Sequence, residues 1–444
     1  MPYVSTRFLL LGLLVATPLS CAVIGTSKPA ESITATRIAA LPKKDRGMWL
    51  AYLERSRKQM QVDRVTLAAE RTAGATESAM PKAGFSARTM PLNRDATWYG
   101  TAEARHVADV IVSFQTPAGG WSKNLDMSGA PRARGQSYAT DNLSKYAGAD
   151  DFDTPRDPHW NYVGTLDNDA TNTELHFLVL VSGATPGSDG QAYRASFVRG
   201  IRYLLAAQFP NGGWPQVWPL EGGYHDAITF NDNAVTESAE TLAAVAEVGS
   251  NYSFVPTEVR LNAKMAADHA LRCILAAQVI VKGRRTVWPQ QDDALTLTPV
   301  AGRNYEPAAL SSGESSDVLV YLMRLPHPSP PVIAAINAGA TWLKAAAITG
   351  QEWVGERNTP SGRHLEAKAG AGPIWARYYS ISTGRPIFGD RDKTIHDDVS
   401  ELSQERRNGY AWYSAGPQQA LDAYAAWSRS HGGARCPDCA SNGS

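Results

Sequence analysis

Apolar residues along most of the chain recur at intervals of three and four, the spacing that places them on one face of a helix. Thr101 is predicted to cap one such helix, and the segment 171–174 (Thr-Asn-Thr-Glu) is predicted to form a capping box for another. Strand-like alternation is scarce, so the chain is predicted to be mainly α. The predicted helical segments are 101–116, 175–181, 197–204, 235–242, 256–277, 314–325, 332–348 and 417–427.

A turn motif follows two of these helices. Residues 115–121 read QTPAGGW and residues 208–214 read QFPNGGW, and a weaker third copy lies at 287–290 (VWPQ). Repeated helix pairs joined by such turns are typical of an α/α toroid, in which inner and outer helices alternate around an axis. The alternative is that Pro-Gly-Gly ends two unrelated helices.

Polar stretches at 166–172, 229–233 and 302–314 each lie just before a predicted helix start. The inner helices of a toroid run parallel, so their N-termini share one rim. The sequence therefore predicts that these three loops form a single cleft.

The charge balance limits the class of ligand. The 444 residues contain 43 Lys plus Arg and 43 Asp plus Glu, and this lack of a basic excess argues against nucleic-acid binding. An acidic polymer is still a possible ligand, because a neutral protein can concentrate cations in one cleft. The motifs of serine hydrolases, zinc proteases and nucleotide-binding proteins are absent from the sequence.

The N-terminus has the features of an export signal. Arg7 precedes the apolar run 8–16, and small residues follow at 20–22, so we expect cleavage near Ala22 and a secreted or periplasmic protein without a membrane span. A lipid anchor at Cys21 is the alternative, although Pro18 stands where a lipobox prefers Leu. The predicted division is a signal peptide (1–22), an extension with an exposed helix at 48–70 (23–90), a catalytic domain (91–430) and a tail (431–444). A monomer is the default for such a protein.

The cysteines say little about function. Cys273 lies within an apolar helical segment and is predicted to be a buried thiol. Cys436 and Cys439 are predicted to form a disulfide in the tail.

Oxygen-bearing side chains cluster in two of the rim loops, at 167–169 (Asp-Asn-Asp) and 231–233 (Asn-Asp-Asn). Oxygen donors suit a hard cation such as calcium. Spacing alone favours the alternative, Asx-turns that cap helices. Arg303, Arg377 and Arg391 are, by themselves, ordinary loop arginines, and tryptophans in turns are more often core than sugar platforms.

A set of short strings resembles the pectate lyases of polysaccharide lyase family 10, in the family's order and over about residues 98–427. The matching segments are 119–125 (GGWSKNL), 165–171 (TLDNDAT), 212–219 (GGWPQVWP), 228–234 (ITFNDNA), 287–297 (VWPQQDDALTL), 305–307 (YEP), 385–388 (RPIF) and 405–413 (ERRNGYAWY).

The resemblance implies an α/α toroid with a small β-containing region flanking the cleft. It also implies endo-acting, calcium-dependent anti-β-elimination of polygalacturonate, which gives 4,5-unsaturated products. Arg303 matches the family's Brønsted base. The family's acidic cluster for calcium and the reacting galacturonate corresponds to Asp167, Asn168 and Asp232. Further substrate contacts correspond to Lys123, Arg377 and Arg391.

A base of this kind must be neutral, and we expect calcium and neighbouring arginines to lower the pKa of Arg303. One position departs from the family pattern, since Asp292 stands in Gln291-Asp292-Asp293 where the family has histidine. Two other classes stay open: an inverting glycoside hydrolase that uses Asp167 and Asp232, and a pectin-binding protein without activity.

Overall fold

The computed structural model describes residues 23–71, 79–146, 148, 150–247 and 251–431. The predicted signal peptide and the predicted Cys436–Cys439 disulfide lie outside these ranges. In the described part, no helix combines the length and apolarity needed to cross a bilayer.

The described residues are mainly helical, with short strands between the helices. The α-helices are α1 (Ala35–Ala39), α2 (Lys43–Glu70), α3 (Ser86–Thr89), α4 (Ala102–Phe114), α5 (Asn172–Ala184), α6 (Gln191–Ala207), α7 (Ala234–Ala246), α8 (Thr257–Ala277), α9 (Ser312–Arg324), α10 (Pro330–Ala346), α11 (Gln404–Gly409) and α12 (Pro417–Ser430). The strands are β1 (Val23–Thr26), β2 (Ile228–Thr229), β3 (Ile280–Val281), β4 (Arg284–Arg285), β5 (Gln291–Asp292), β6 (Leu310–Ser311), β7 (Gln351–Val354), β8 (His364–Ala367), β9 (Trp375–Ala376), β10 (Tyr378–Tyr379), β11 (Pro386–Gly389), β12 (Thr394–His396) and β13 (Tyr413–Ser414).

Neighbouring helices pack against each other in the pairs α4–α5, α5–α6, α7–α8 and α9–α10. Helices α4, α6, α8 and α10 contact one another in order, and so do α5, α7, α9 and α12, so the two sets form an outer and an inner layer. The inner helix α5 is apolar nearly all round and buries most of its residues, whereas the outer helix α6 has one polar face. The mainly α, toroidal fold predicted from the sequence is confirmed.

The repeated turn joins the two layers. Gln115, Gln208 and Gln278 each end an outer helix, and each side-chain amide donates to two backbone carbonyls. Trp121 and Trp214 then donate their indole N–H to carbonyls of the preceding outer helix at 2.7 and 2.8 Å, and both are fully buried. These tryptophans are core residues that fix where each loop to an inner helix begins.

The start of α5 differs from the prediction. Thr101 does cap α4, since its hydroxyl accepts from Ala104 N at 3.3 Å, but Thr171 forms no capping box. Its φ of +67° turns the hydroxyl away from the helix, where it accepts from Trp121 N at 3.0 Å and donates to Thr165 O at 2.8 Å. Thr171 therefore ties the rim loop to the repeated turn.

Strands gather between α10 and α12 as the predicted β-containing region. The largest sheet has the antiparallel order β1-β12-β11-β10-β6, and β7 pairs with β8 in a separate hairpin. Arg377 lies between β9 and β10, and β10 pairs with β6 immediately before α9. The sheet thus brings Arg377 to the rim where the inner helices begin.

The helix predicted at 48–70 begins earlier, at Lys43; most of its residues are exposed, as predicted, but one side is buried. On that side, the Tyr52 ring packs at a tilt against Phe209 and its hydroxyl donates to Ala207 O at 2.8 Å, so α2 packs on the end of α6. Ahead of α2, Ile33 N donates to Asp226 and Arg37 pairs with Asp293 at 2.5 Å. Residues 23–70 are therefore integral to the packed core, while the proposed domain limits stay a prediction.

Candidate active site

Two short turns on the rim carry the predicted acidic cluster. Asn168 and Asp232 lie in the centres of the turns Asp167–Asp169 and Asn231–Asn233, with φ of +53° and +50°. Asn and Asp adopt this left-handed conformation more readily than other residues with a Cβ. Asn168 N donates to Asp232 Oδ2 at 2.9 Å, and the Asn231 amide donates to that atom at 2.7 Å and to Asp167 Oδ1 at 3.4 Å. The two carboxylates therefore converge, as the sequence predicted.

Asp167 is a buried anion with cationic and amide partners. Lys123 Nζ lies 2.5 Å from Asp167 Oδ2, and Gln216 donates to Oδ1 at 2.7 Å. Burial raises the pKa of Asp167, but Lys123 and then Arg303 lower it, and the net pKa lies below the usual range. The Lys123 ammonium also lies 3.4 Å from the centre of the Tyr162 ring. Asp167 is thus ionised and fixed in orientation.

Asp232 has the opposite electrostatic environment. Burial raises its pKa and the neighbouring Asp167 raises it further, above the usual range for a carboxyl group. Two carboxylates this close repel each other, and a cation bound by both would relieve that repulsion. Asn168, whose amide donates to Asn124 at 3.0 Å, supplies an adjacent amide oxygen.

Arg303 lies beside this cluster and remains one-third exposed. Its backbone N–H donates to Glu306 at 2.8 Å and its Nε at 3.3 Å, in a tight turn that a side chain at Gly302 would block by meeting the same carboxylate. Burial lowers the pKa of Arg303, but Glu306 and then Tyr305 raise it, and the net pKa lies above the usual value. The charges of the protein itself therefore raise this pKa, chiefly through Glu306, and the lowering expected from calcium and neighbouring arginines stays a prediction.

Behind Arg303 lies a group of buried polar residues that sequence reasoning missed. Tyr224 donates to Asp153, and its hydroxyl lies 2.9 Å from that of Tyr162. Burial raises the pKa of Asp153, and the charge of Arg303 is the largest effect that opposes this rise. Next to them, burial and then Lys123 lower the pKa of His225 to about 3, so this imidazole is neutral. These residues occupy irregular loops and carry no periodic or motif signal.

Arg377 joins the cluster from the β-containing region. Its Nη2 lies 2.5 Å from Glu314 Oε1 and donates to Asn231 Oδ1 at 3.1 Å. Burial lowers the pKa of Arg377, but Glu314 and then Tyr410 raise it, so the guanidinium stays charged. Arg377 therefore shares the partner Asn231 with both carboxylates of the acidic pair.

Arg391 lies one step farther out. It forms a two-point ion pair with Glu405, at 2.7 and 3.2 Å, and stacks on Tyr146 at 3.8 Å. Tyr305 lies between Arg391 and Arg303. The centre of its ring is 5.2 Å from the guanidinium of Arg391 and 5.6 Å from that of Arg303. The structure therefore links Arg391 to the cluster through Tyr305 and not by direct contact.

Asp292, the departure from the family pattern, is fully buried on β5. Neither of its carboxyl oxygens has a hydrogen-bond partner among the described residues. Burial, and then Asp293, raise its pKa well above the usual value, so its surroundings favour the uncharged acid over the carboxylate. Asp292 also helps burial to raise the pKa of the free thiol of Cys273, which is buried as predicted.

We expect Asp292→Asn to stabilise the protein at neutral pH. The folded-state pKa lies above the unfolded value, so wild-type stability falls as pH rises above about 4, by up to about 1.4 kcal/mol per pH unit. The amide does not titrate. Urea unfolding at pH 4 and pH 7.5 should show a gain that grows with pH, whereas Asp422→Asn, at an exposed site, should show none. Equal effects of Asp292→Asn at both pH values would contradict the burial of a neutral acid.

No group of three or more His, Cys, Asp or Glu side chains in the described ranges is arranged to hold a metal ion. The acidic pair with Asn168 offers two carboxylates and one amide, surrounded by Lys123, Arg303 and Arg377. A toroid with buried anions and fixed cations at the rim of its inner helices suits recognition of an anionic sugar chain.

Comparisons with known proteins agree with this description. A family 10 polysaccharide lyase from Cellvibrio cellulosa is 29% identical and superposes with a TM-score of 0.61, over 76% of this chain and 96% of that one. A mutant of a family 10 polysaccharide lyase from the same organism, in complex with trigalacturonic acid, is 28% identical, with a TM-score of 0.62, over 78% and 100% of the two chains. No curated protein sequence matches the chain.

Fold and site together define a polysaccharide lyase. The family model described as pectic acid lyase matches residues 115–421, and the chain belongs to that family. The resemblance inferred from short motifs is thereby confirmed.

Proposed function

We propose that the protein cleaves de-esterified polygalacturonate by calcium-dependent anti-β-elimination and releases 4,5-unsaturated oligogalacturonides. The observation that carries the proposal is the buried pair Asp167 and Asp232, held by one amide of Asn231 among the cations Lys123, Arg303 and Arg377. Membership of the pectic acid lyase family and the trigalacturonic acid complex of the Cellvibrio lyase support the substrate class.

The reaction removes the proton on C5 of a galacturonate residue, forms the C4–C5 double bond, and breaks the bond from C4 to the glycosidic oxygen. Negative charge develops on the adjacent carboxylate, so stabilising that charge is the main task. Lys123 and Arg377 place fixed positive charge at the acidic cluster, and a guanidinium suits bidentate binding of a carboxylate. Arg303 is the proposed base, and the oxygen of the leaving group takes up a proton as the bond breaks.

The candidate calcium ligands fit a hard cation. Asp167, Asn168 and Asp232 present oxygen atoms, and the mutual repulsion of the two carboxylates favours a divalent ion between them. Three protein side chains would not complete a calcium shell of six to eight oxygens, so water and the substrate carboxylate would have to supply the rest. When bound there, calcium would neutralise the substrate carboxylate and increase the acidity of the C5 proton.

The hydrolase alternative fits the geometry less well. Inverting glycosidases hold their carboxyl groups roughly 6.5–9.5 Å apart so that a water molecule fits between sugar and base. Here one amide nitrogen contacts oxygens of both Asp167 and Asp232, at 3.4 and 2.7 Å. Asp167 is also paired with Lys123, which does not suit a general acid.

Export is part of the proposal. The N-terminal signal features support it, and pectate is an extracellular polymer too large to enter a cell intact.

A single spectroscopic assay tests the function. Purified protein with polygalacturonate and calcium should produce ultraviolet absorbance from the conjugated product, and a chelator should stop the increase until calcium is restored. Saturated reducing ends without ultraviolet absorbance would indicate a hydrolase, and tight binding without any product would indicate an inactive pectin-binding protein.

A further inference from the structure

The β7–β8 hairpin ends in a loop, residues 355–363, that is fastened to the short helix α11. Asn408 donates to Arg357 O at 2.8 Å and accepts from Arg363 N at 2.8 Å. Gln404 donates to two further carbonyls of the loop, at 3.3 and 3.2 Å. Four hydrogen bonds from two side chains of α11 therefore fix the position of this loop.

A cavity of about 650 Å³ lies between the loop and α11. Its lining includes Arg357, Asn358, Gln404, Glu405 and Asn408. The amides of Gln404 and Asn408 already donate to carbonyls of the loop, so Arg357 and Asn358 are the lining side chains that suit the carboxylate and hydroxyl groups of a sugar acid. The one lining carboxylate, Glu405, is already paired with Arg391.

Two arginines at this loop lack counter-ions. Among the described residues, neither Arg357 nor Arg363 forms an ion pair, and the guanidinium of Arg363 lies over the Trp353 ring at 5.2 Å. Burial lowers the pKa of Arg363, and the charge of Arg357 lowers it further, so the two cations are close enough to repel. An anion bound between them would relieve that repulsion.

A continuous series of contacts connects this cavity with the reaction centre. The guanidinium of Arg303 faces Tyr305, Tyr305 faces Arg391, and Arg391 pairs with Glu405, which lines the cavity. Helix α11 thus has one side on the cleft and the other on the hairpin loop. A polymer that leaves the reaction centre past Arg391 meets the cavity next.

We propose that this cavity is an outer subsite that binds the carboxylate of a remote galacturonate residue through Arg357, which lines it, with the charge of Arg363 on the same loop adding to the attraction. The inference rests on the proposed function, because it takes the substrate to be a polygalacturonate chain. It assigns a binding role to the β7–β8 hairpin, which lies outside the sequence segments that resemble the family. A short oligomer bound at the reaction centre would not reach this subsite, whereas a longer one would.

The test compares substrate lengths in the double variant Arg357→Ala/Arg363→Ala. The ratio of kcat/KM for hexagalacturonate to that for trigalacturonate should fall about tenfold, through KM, because the variant loses charge-assisted binding of the remote carboxylate, which solvent at this open site weakens. Arg357→Lys/Arg363→Lys should restore part of the ratio. Arg429→Ala, an exposed arginine on α12, serves as the matched control.

An unchanged ratio, or an equal loss on both oligomers, would overturn the outer subsite while leaving the proposed function intact. If the wild type forms no unsaturated product, the proposed function fails first. Calorimetric binding of intact hexagalacturonate then tests the subsite separately: weaker binding by the double variant supports it, and equal binding by wild type and variant overturns it.

Discussion

Replacement of Arg303 by alanine or by lysine is expected to remove nearly all turnover of polygalacturonate while leaving oligogalacturonate binding within a few-fold of wild type. Loss of a positioned general base costs about 10²–10⁴-fold in rate. A lysine keeps the charge but not the reach or fork of the guanidinium, whose Nε is held by Glu306 at 3.3 Å. Initial rates of ultraviolet product, with binding measured by calorimetry, check both parts. A fully active Arg303→Lys variant would exclude Arg303 as the catalytic base.

The protonation state of Arg303 can be tested through Glu306. This carboxylate raises the pKa of Arg303, and its own pKa is lowered by Arg303 despite burial. If the neutral guanidine is the base, kcat/KM should rise with pH as Arg303 loses its proton. Glu306→Gln should then shift this rising limb of the pH profile to lower pH, because it removes the charge that raises the pKa of Arg303. If the protein instead needs a charged arginine that stabilises developing negative charge, Glu306→Gln should leave that limb in place.

The helix pattern predicted the location of the site because it fixed where inner helices begin. Loops 166–172 and 229–233 precede α5 and α7, and parallel inner helices bring both loops to one rim. Asp167 and Asp232 lie close together because each belongs to one of these two loops. The chemistry was inferred from the family strings, because spacing alone favoured helix capping over calcium binding.

The hydrogen-bond and ion-pair partners of the predicted site residues could not be predicted from the sequence. Glu314 pairs with Arg377, which lies 63 positions later, and Gln216 reaches Asp167 from another repeat. A single polar residue in the first turn of a helix, such as Glu314, or in a loop, such as Gln216, belongs to no repeating pattern, so the sequence alone does not indicate its partner. For Thr171 the local sequence predicted a role that the fold does not use. The residues around it match a helix cap, but its hydroxyl forms hydrogen bonds with Trp121 and Thr165 instead.

Replacement of Asp232 by asparagine is expected to weaken calcium activation by at least about 100-fold, because even partners outside the ligand shell cost roughly 10–100-fold in metal affinity. The change removes one of two carboxylates at the cation site and keeps the shape and the left-handed φ of +50°, which asparagine tolerates. The calcium concentration at half-maximal rate is the measurement. Saturating calcium should recover part of the activity.

Asp169→Asn is the matched control for Asp232→Asn. Asp169 belongs to the same rim and also has a positive φ, of +59°, but its carboxylate lines a separate acidic cavity with Glu237 and Asp317. Loss of its charge should shift the calcium requirement by only a few-fold, as expected for an unpaired charge that is not a ligand. If both variants shift the calcium curve equally, long-range charge and not ligation by Asp232 governs calcium binding, and the assignment of Asp167, Asn168 and Asp232 as ligands fails.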